Sequence, residues 1–195
     1  MRIRSLLRDA VVFAGAVPLA PLWLLAVLER RCRLGDGFFL LCSEVLSLVP
    51  GKPGVFLRRS FYAMTLDAFA RDCHVGFGTT LAHPQVSIRP GVWIGSRCTL
   101  GQVDIDEHVT IGSNVDILSG RHQHGFGRVG VPIQQQGGSY RRLRLGRNTW
   151  IGNSSVIMAD VGAESVIGAG SVVVRDIPER SVAAGNPAVV KKVRT

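Results

Sequence analysis

Cysteine and aromatic residues are scarce in this 195-residue sequence, and several familiar motifs are missing altogether. The four cysteines, Cys32, Cys42, Cys73 and Cys98, are widely spaced and include no C-x-x-C pair. That spacing excludes a conventional zinc cage and a dense disulfide framework, and it fits reduced thiols in a cytoplasmic compartment. Aromatics make up 7%, the basic residues form no long run, and no helix-turn-helix, RRM or zinc-finger spacing occurs, so nucleic acid is the weakest partner class. Negative charge is also short: 14 acidic against 23 basic residues give a net charge of +9. Such a surplus favours an anionic partner, such as phospholipid head groups or a phosphorylated small molecule. The length suits one catalytic domain with a terminal appendage.

Charge is absent from Val11 to Leu28, with Arg2, Arg4 and Arg8 before this run and Arg30, Arg31 and Arg33 after it. The run barely reaches the roughly 20 residues that span a bilayer, and positive charge on both flanks sets no orientation. Pro18 and Pro21 each remove a helix hydrogen-bond donor, which predicts a helix-break-helix that enters and leaves one leaflet. No small-x-small cleavage site follows the run before Glu29-Arg30-Arg31, so a secretory signal peptide fits poorly. A second apolar stretch, Gly37 to Cys42, leads through Leu46 to Val49 into the turn Pro50-Gly51-Lys52-Pro53-Gly54. The aromatics and arginines of Phe56 to Tyr62 then suit a membrane interface. Residues 1–65 are therefore expected to be a hydrophobic, helical, membrane-associating region. Whether it spans, dips into or lies on the membrane is left open. The competing reading is a helical cap on the catalytic domain or a packing element in an oligomer.

From Val75 onward an aliphatic residue followed by a small one returns at intervals of six, with local slips. Instances are Val75-Gly76, Leu81-Ala82, Ile94-Gly95, Leu100-Gly101, Ile111-Gly112, Leu145-Gly146, Ile151-Gly152, Val161-Gly162 and Ile167-Gly168. Ile88, Ile105, Ile117 and Val173 keep the aliphatic phase. Six is a multiple of the strand period of two, so these residues can all point inward from short strands. A helical period would scatter them. Coils of this kind cannot bury their apolar face alone and must stack into a solenoid.

The stretch Ile94 to Val173 resembles the hexapeptide-repeat acyltransferase family. Its closing part runs through Trp150-Ile151-Gly152, Val166-Ile167-Gly168-Ala169-Gly170-Ser171-Val172-Val173 and Ala184-Gly185-Asn186-Pro187-Ala188, and it is similar to that family's C-terminal signature. The resemblance covers roughly residues 70–195. It implies a mainly β fold, a left-handed parallel β-helix with three six-residue sides per coil. It also implies a homotrimer with active sites at the subunit clefts, and acetyl-CoA as co-substrate with no metal.

Between Ile117 and Leu145 the repeat lapses, giving an inserted loop over about 119–143. A long irregular insertion in a repeat domain is usually functional, and this one is expected to project toward a neighbouring subunit. It carries the segment Gly120-Arg121-His122-Gln123-His124. The sugar O-acetyltransferase branch has a histidine, a Pro-Ile pair eight residues later and then Gln-Gly. Here His124 precedes Pro132-Ile133 by eight, and Gln136-Gly137 follows, so this match makes His124 the first choice for the catalytic residue. Counting without gaps from the preceding Ile-Gly repeat points to His122 instead. Acyl transfer needs a base that takes a proton from the attacking group, and imidazole serves near neutrality. For the acyl donor, the resemblance places Trp150, Asn153 and Ala169 along the pantetheine arm. Arg175 stands at a common lysine position, and Lys192 at a family arginine position. Val189 stands where a second basic residue often follows Asn-Pro-Ala.

The implied function is transfer of an acetyl or other acyl group to a sugar or glycan hydroxyl, with surface polysaccharide as one setting, at the cytoplasmic face of the membrane. Amine acceptors stay open. Two alternatives differ in class. A γ-carbonic-anhydrase-like zinc enzyme needs three ligands, and its histidine pair four residues apart is absent here. A non-catalytic interaction module would use the solenoid only as a rigid surface.

Overall fold

The computed structural model describes residues 17–29, 31–32 and 34–195. Residues 11–16 of the uncharged run, and the arginines at 2, 4, 8, 30 and 33, lie outside the described residues. Three helices precede the repeat: α1 over 17–29, α2 (Gly37–Ser47) and α3 (Gly51–Thr65). The expected break at Pro18 and Pro21 is not found, because residues 17–29 are continuously helical. Packing outweighs the lost donors. Leu19 and Ala26 are buried, Leu22 packs on the core, and the Trp23 indole N–H donates to the Met64 carbonyl at 2.9 Å.

The segment Phe56 to Tyr62 also departs from expectation, since its main groups turn inward rather than toward an interface. Phe61 and Tyr62 are fully buried and pack with Phe39 in one aromatic cluster. Arg58 is buried as well. Its guanidinium donates to the carbonyls of Leu46 at 2.9 Å, Val49 at 3.0 Å and Val75 at 3.1 Å. A cation there satisfies the open carbonyls at the end of α2 and complements the negative end of that helix.

The repeat folds into short strands that make three walls of a prism. The first wall is β1 (Ala68–Phe69), β4 (Val86–Ile88), β7 (Val103–Ile105) and β10 (Leu143–Leu145). The second is β2 (His74–Val75), β5 (Trp93–Ile94), β8 (Thr110–Ile111), β11 (Trp150–Ile151), β13 (Val166–Ile167), β15 (Ser181–Ala184) and β16 (Val189–Val193). The third is β3 (Thr80–Leu81), β6 (Thr99–Leu100), β9 (Asp116–Ile117), β12 (Val156–Ile157) and β14 (Val172–Val173). Neighbours pair in parallel, apart from the antiparallel closing strand β16. Bridges at Val161 and Ile177 extend the first wall by two rungs.

One residue per strand points inward, and these residues stack in columns. Ile88, Ile105, Leu145, Val161 and Ile177 fill the first column. Val75, Ile94, Ile111, Ile151 and Ile167 fill the second, and Leu81, Leu100, Ile117, Ile157 and Val173 the third. From the first wall to the second, and from the second to the third, the inward residues stay six apart in every coil. The third corner absorbs all the slips. Leu81 to Ile88 is seven, Leu100 to Ile105 five, Ile117 to Leu145 twenty-eight, and Ile157 to Val161 four.

The two regular corners repeat one turn. The first holds Gly91, His108, Asn148, Glu164 and Arg180 with positive φ, and the second Gly78, Arg97, Asn114, Ser154 and Gly170. Each coil after the first therefore places a left-handed residue at the same step, and its N–H bonds to the coil before, as His108 N to Pro90 O and Asn114 N to Ser96 O show. Close stacking at the second corner also fixes glycine there. A Cβ on Gly95 would lie 2.6 Å from the carbonyl carbon of Gly112.

Candidate active site

The insertion opens at the third corner, between β9 and β10, and closes back on its own base. The Arg141 N–H donates to the Ser119 carbonyl at 2.9 Å, and the Ser139 N–H to the His122 carbonyl at 2.7 Å. Gln136, buried although polar, orders the interior of the loop. Its amide donates to the carbonyls of Arg128 at 3.0 Å and Val131 at 2.9 Å, and its oxygen accepts from the Arg128 N–H. With donor and acceptor ends both used, the loop holds one shape over the histidine segment.

Beside this base lies a cleft of about 390 Å³ lined by Gly120, Arg121, His122, Ser139, Arg141, Met158, Ala159, Val174, Arg175 and Asp176. The residues come from three successive passes of the third corner: the two ends of the insertion, the turn after β12 and the turn after β14. Arg121 Nε donates to His122 Nε2 at 2.9 Å, and Arg121 Nη1 to the Val174 carbonyl at 3.3 Å. A guanidinium has no acceptor, so Nε2 presents its lone pair there and the ring proton sits on Nδ1. Arg141 pairs with Asp160 and, at 3.5 Å, with Asp176. These pairs are exposed and worth at most about 1 kcal/mol, so their effect is to position the cleft wall. Three arginines against one lining carboxylate leave the cleft suited to an anionic ligand.

His124 is exposed and lines a second, shallower hollow of about 370 Å³ with Phe126, Gly127 and Gly138. His122 lines both hollows. The other three histidines stand elsewhere. His83 Nδ1 is 3.1 Å from an Asp36 carboxylate oxygen, and His108 occupies a left-handed corner. His74 stacks on Trp93 with ring centres 3.8 Å apart. Partial burial, then the charges of Arg59 and Arg58, push its pKa below the ordinary histidine value.

The residues matched to the acyl donor divide between corners. Arg175 lines the histidine cleft. Asn153 and Ala169 sit at the second corner, exposed, in successive coils. Trp150 faces outward from the second wall, and Lys192 lies on β16, paired with Val182. Within one chain the third wall separates Asn153 and Ala169 from His122. The Asn153 carboxamide oxygen accepts from the Ser113 N–H at 2.9 Å, which leaves its NH₂ end to offer a ligand. Sequence reasoning gave no role to Arg121, Arg141 or Asp176, and it used Gln136 only as a pattern match. Asp160 and Asp176 are sixteen apart, the length of one late coil, and that spacing could have stacked them. Nothing in the sequence brings Arg141 to them. Among the described residues, no three His, Cys, Asp or Glu side chains are grouped to hold a metal ion.

No protein-family model matches the chain, and no curated protein matches it by sequence. Solved structures do match. A maltose O-acetyltransferase from Clostridium difficile 630 is 23% identical, with 88% of this chain and 89% of that one covered at a TM-score of 0.70. A galactoside acetyltransferase, solved in complex with coenzyme A, is 25% identical over 80% of each chain at 0.57. A hexapeptide-repeat-containing acetyltransferase from Vibrio cholerae is 18% identical, over 79% of this chain and 87% of that one, at 0.61. The structural neighbours are hexapeptide-repeat acetyltransferases, and the fold is their left-handed parallel β-helix, here of about six coils with helices at the N-terminal end.

Proposed function

We propose that this protein transfers an acetyl group from acetyl-CoA to a hydroxyl of a sugar or glycan, with His122 as the base. The observation that carries the reading is the position of His122. It stands where the repeat opens, between two hollows, in a fold shared with a maltose O-acetyltransferase and a CoA-bound galactoside acetyltransferase. An acceptor hydroxyl would take the place of Arg121 at Nε2 and give its proton to the ring as its oxygen attacks the thioester carbonyl. The tetrahedral intermediate then expels the CoA thiolate, which takes the proton back from the imidazolium. General-base action of this kind is worth about 10²–10⁴-fold. Arg175, at the cleft, supplies positive charge for phosphate or for an anionic acceptor.

The division of the donor-matched residues favours a homotrimer. CoA running along Trp150, Asn153, Ala169 and Lys192 of one copy reaches the third corner of an adjacent copy, where His122 stands. The cellular setting we propose is the cytoplasmic face of the membrane, in surface polysaccharide synthesis. All four cysteines are free thiols, in keeping with a reducing compartment.

The test is CoA release from acetyl-CoA in the presence of maltose, galactosides and amino sugars, with product mass measured. An acetyl mass added to a hydroxyl supports the reading. Release with amine acceptors alone would move it to N-acylation, and no turnover with any acceptor would overturn it. Polysaccharide from cells with and without the gene, compared by mass for a lost acetyl group, tests the setting.

A further inference from the structure

The N-terminal helices carry apolar surface that is exposed among the described residues. On α1 one side is used: Leu19, Leu22 and Ala26 face the body, and the Trp23 indole is tied to α3. The opposite stripe, Val17, Leu24, Leu25 and Leu28, is about half exposed or more. On α2, Phe39, Cys42 and Leu46 are buried while Leu41, Val45 and, just past the helix end, Leu48 are exposed, again at helical spacing. The Glu29 carboxylate accepts the Phe38 N–H at 2.9 Å and the Phe39 N–H at 3.3 Å, joining the end of α1 to the start of α2. Two consecutive helices thus each bury one apolar stripe and expose another. Exposed apolar stripes on neighbouring helices of a folded chain are candidates for a binding surface.

Charge selects the occupant. Residues 1–33 contain six arginines against Asp9 and Glu29, and Glu29 is engaged by α2. Exposed aliphatic residues flanked in the sequence by arginines complement an anionic lipid surface. Among the described residues no helix is long and apolar enough to cross a membrane, and α1 is tied to the end of α3 through Trp23 and Met64.

We infer that α1 and α2 seat the protein on an anionic bilayer as an interfacial anchor, with Leu24, Leu25, Leu28, Leu41, Val45 and Leu48 entering the acyl boundary. This deepens the membrane location proposed above and rests on it.

Flotation of the full chain with vesicles of phosphatidylcholine, with and without phosphatidylglycerol, tests it. The wild type is expected to float with the anionic vesicles, weakly with the neutral ones, and to be released by alkaline carbonate. Leu24→Glu with Leu28→Glu, and Leu41→Glu with Val45→Glu, should each lower vesicle binding about tenfold or more. Their circular dichroism and their turnover with a soluble acceptor should stay at wild-type levels. Resistance to carbonate would overturn the interfacial mode while leaving the membrane location intact. Unaltered vesicle binding by both double variants would also overturn it, as would a fall in oligomeric state with lipid binding unchanged, since a second copy would then cover the face. Failure of the wild type to float with either vesicle would overturn location and mode together.

Discussion

The first two corners of the prism and the third differ in nearly every respect. At the regular corners every late coil repeats the same left-handed residue and the same N–H bond to the coil before, with inward residues held six apart. At the third corner the separations run from four to twenty-eight, and charged side chains from Arg121 to Asp176 gather there. Two tight corners suffice to keep the coils in register, because each strand rung is fixed by backbone bonds on two walls. The third is then free to vary, and a long insertion there disturbs no column of the core. Chemistry is sited where the repeat is least constrained.

The largest test of this contrast is at the histidines. His122→Ala should lower kcat by about 10²–10⁴-fold with little change in Tm. His124→Ala should cost much less, since that ring lines only the outer hollow. The reverse order would return the base to His124.

Next comes a pair of glycines. Gly95→Ala, at a regular corner, forces a Cβ against Gly112 backbone and should destabilise by about 1–3 kcal/mol in denaturant unfolding. Gly127→Ala, in the insertion, meets nothing within 4 Å and should stay within about 0.5 kcal/mol. Equal costs would mean that the insertion is as tightly stacked as the corners.

Arg141→Gln should change stability by less than about 1 kcal/mol, because its ion pairs are exposed. It should nonetheless raise KM, with kcat less affected, by loosening the cleft wall. Steady-state kinetics beside a melting curve separates the two.

The smallest expected effect belongs to His74 on the second wall. Its pKa is depressed in the folded chain, by burial first and by Arg59 and Arg58 next. The unfolded chain therefore binds the extra proton more readily, and stability falls as pH drops through the ordinary histidine value near 6.5. His74→Gln should flatten that part of the Tm profile between pH 7.5 and 5.5. An unchanged slope would assign the acid sensitivity elsewhere.

Much of the fold was legible because the aliphatic positions Ile94, Leu100, Ile111, Ile151 and Ile167 keep strand phase, and a six-residue period admits few other structures. The histidine segment was legible for the same reason, as a break in that phase. Choosing within it was not, since counting forward from the repeat and backward from Pro132-Ile133 gave different residues. Phe61, Tyr62 and Arg58 misled, because composition does not tell which side of a helix meets a core. Prolines at 18 and 21 misled likewise, as packing of Leu19 and Leu22 on the core held the helix that they weaken.

What the sequence determined by itself is therefore local and periodic: short strands, an inward aliphatic phase, and one place where the pattern opens. Those follow from backbone sterics and burial, which act on neighbouring residues. Only the tertiary structure decided that Arg121, Arg141, Arg175 and Asp176 share a cleft with His122, and that Asn153 and Ala169 lie across the third wall from it. Coil lengths of nineteen, seventeen and sixteen, with the insertion between, set which distant residues stack. That stacking depends on the sum of every slip along the chain, which no single motif records.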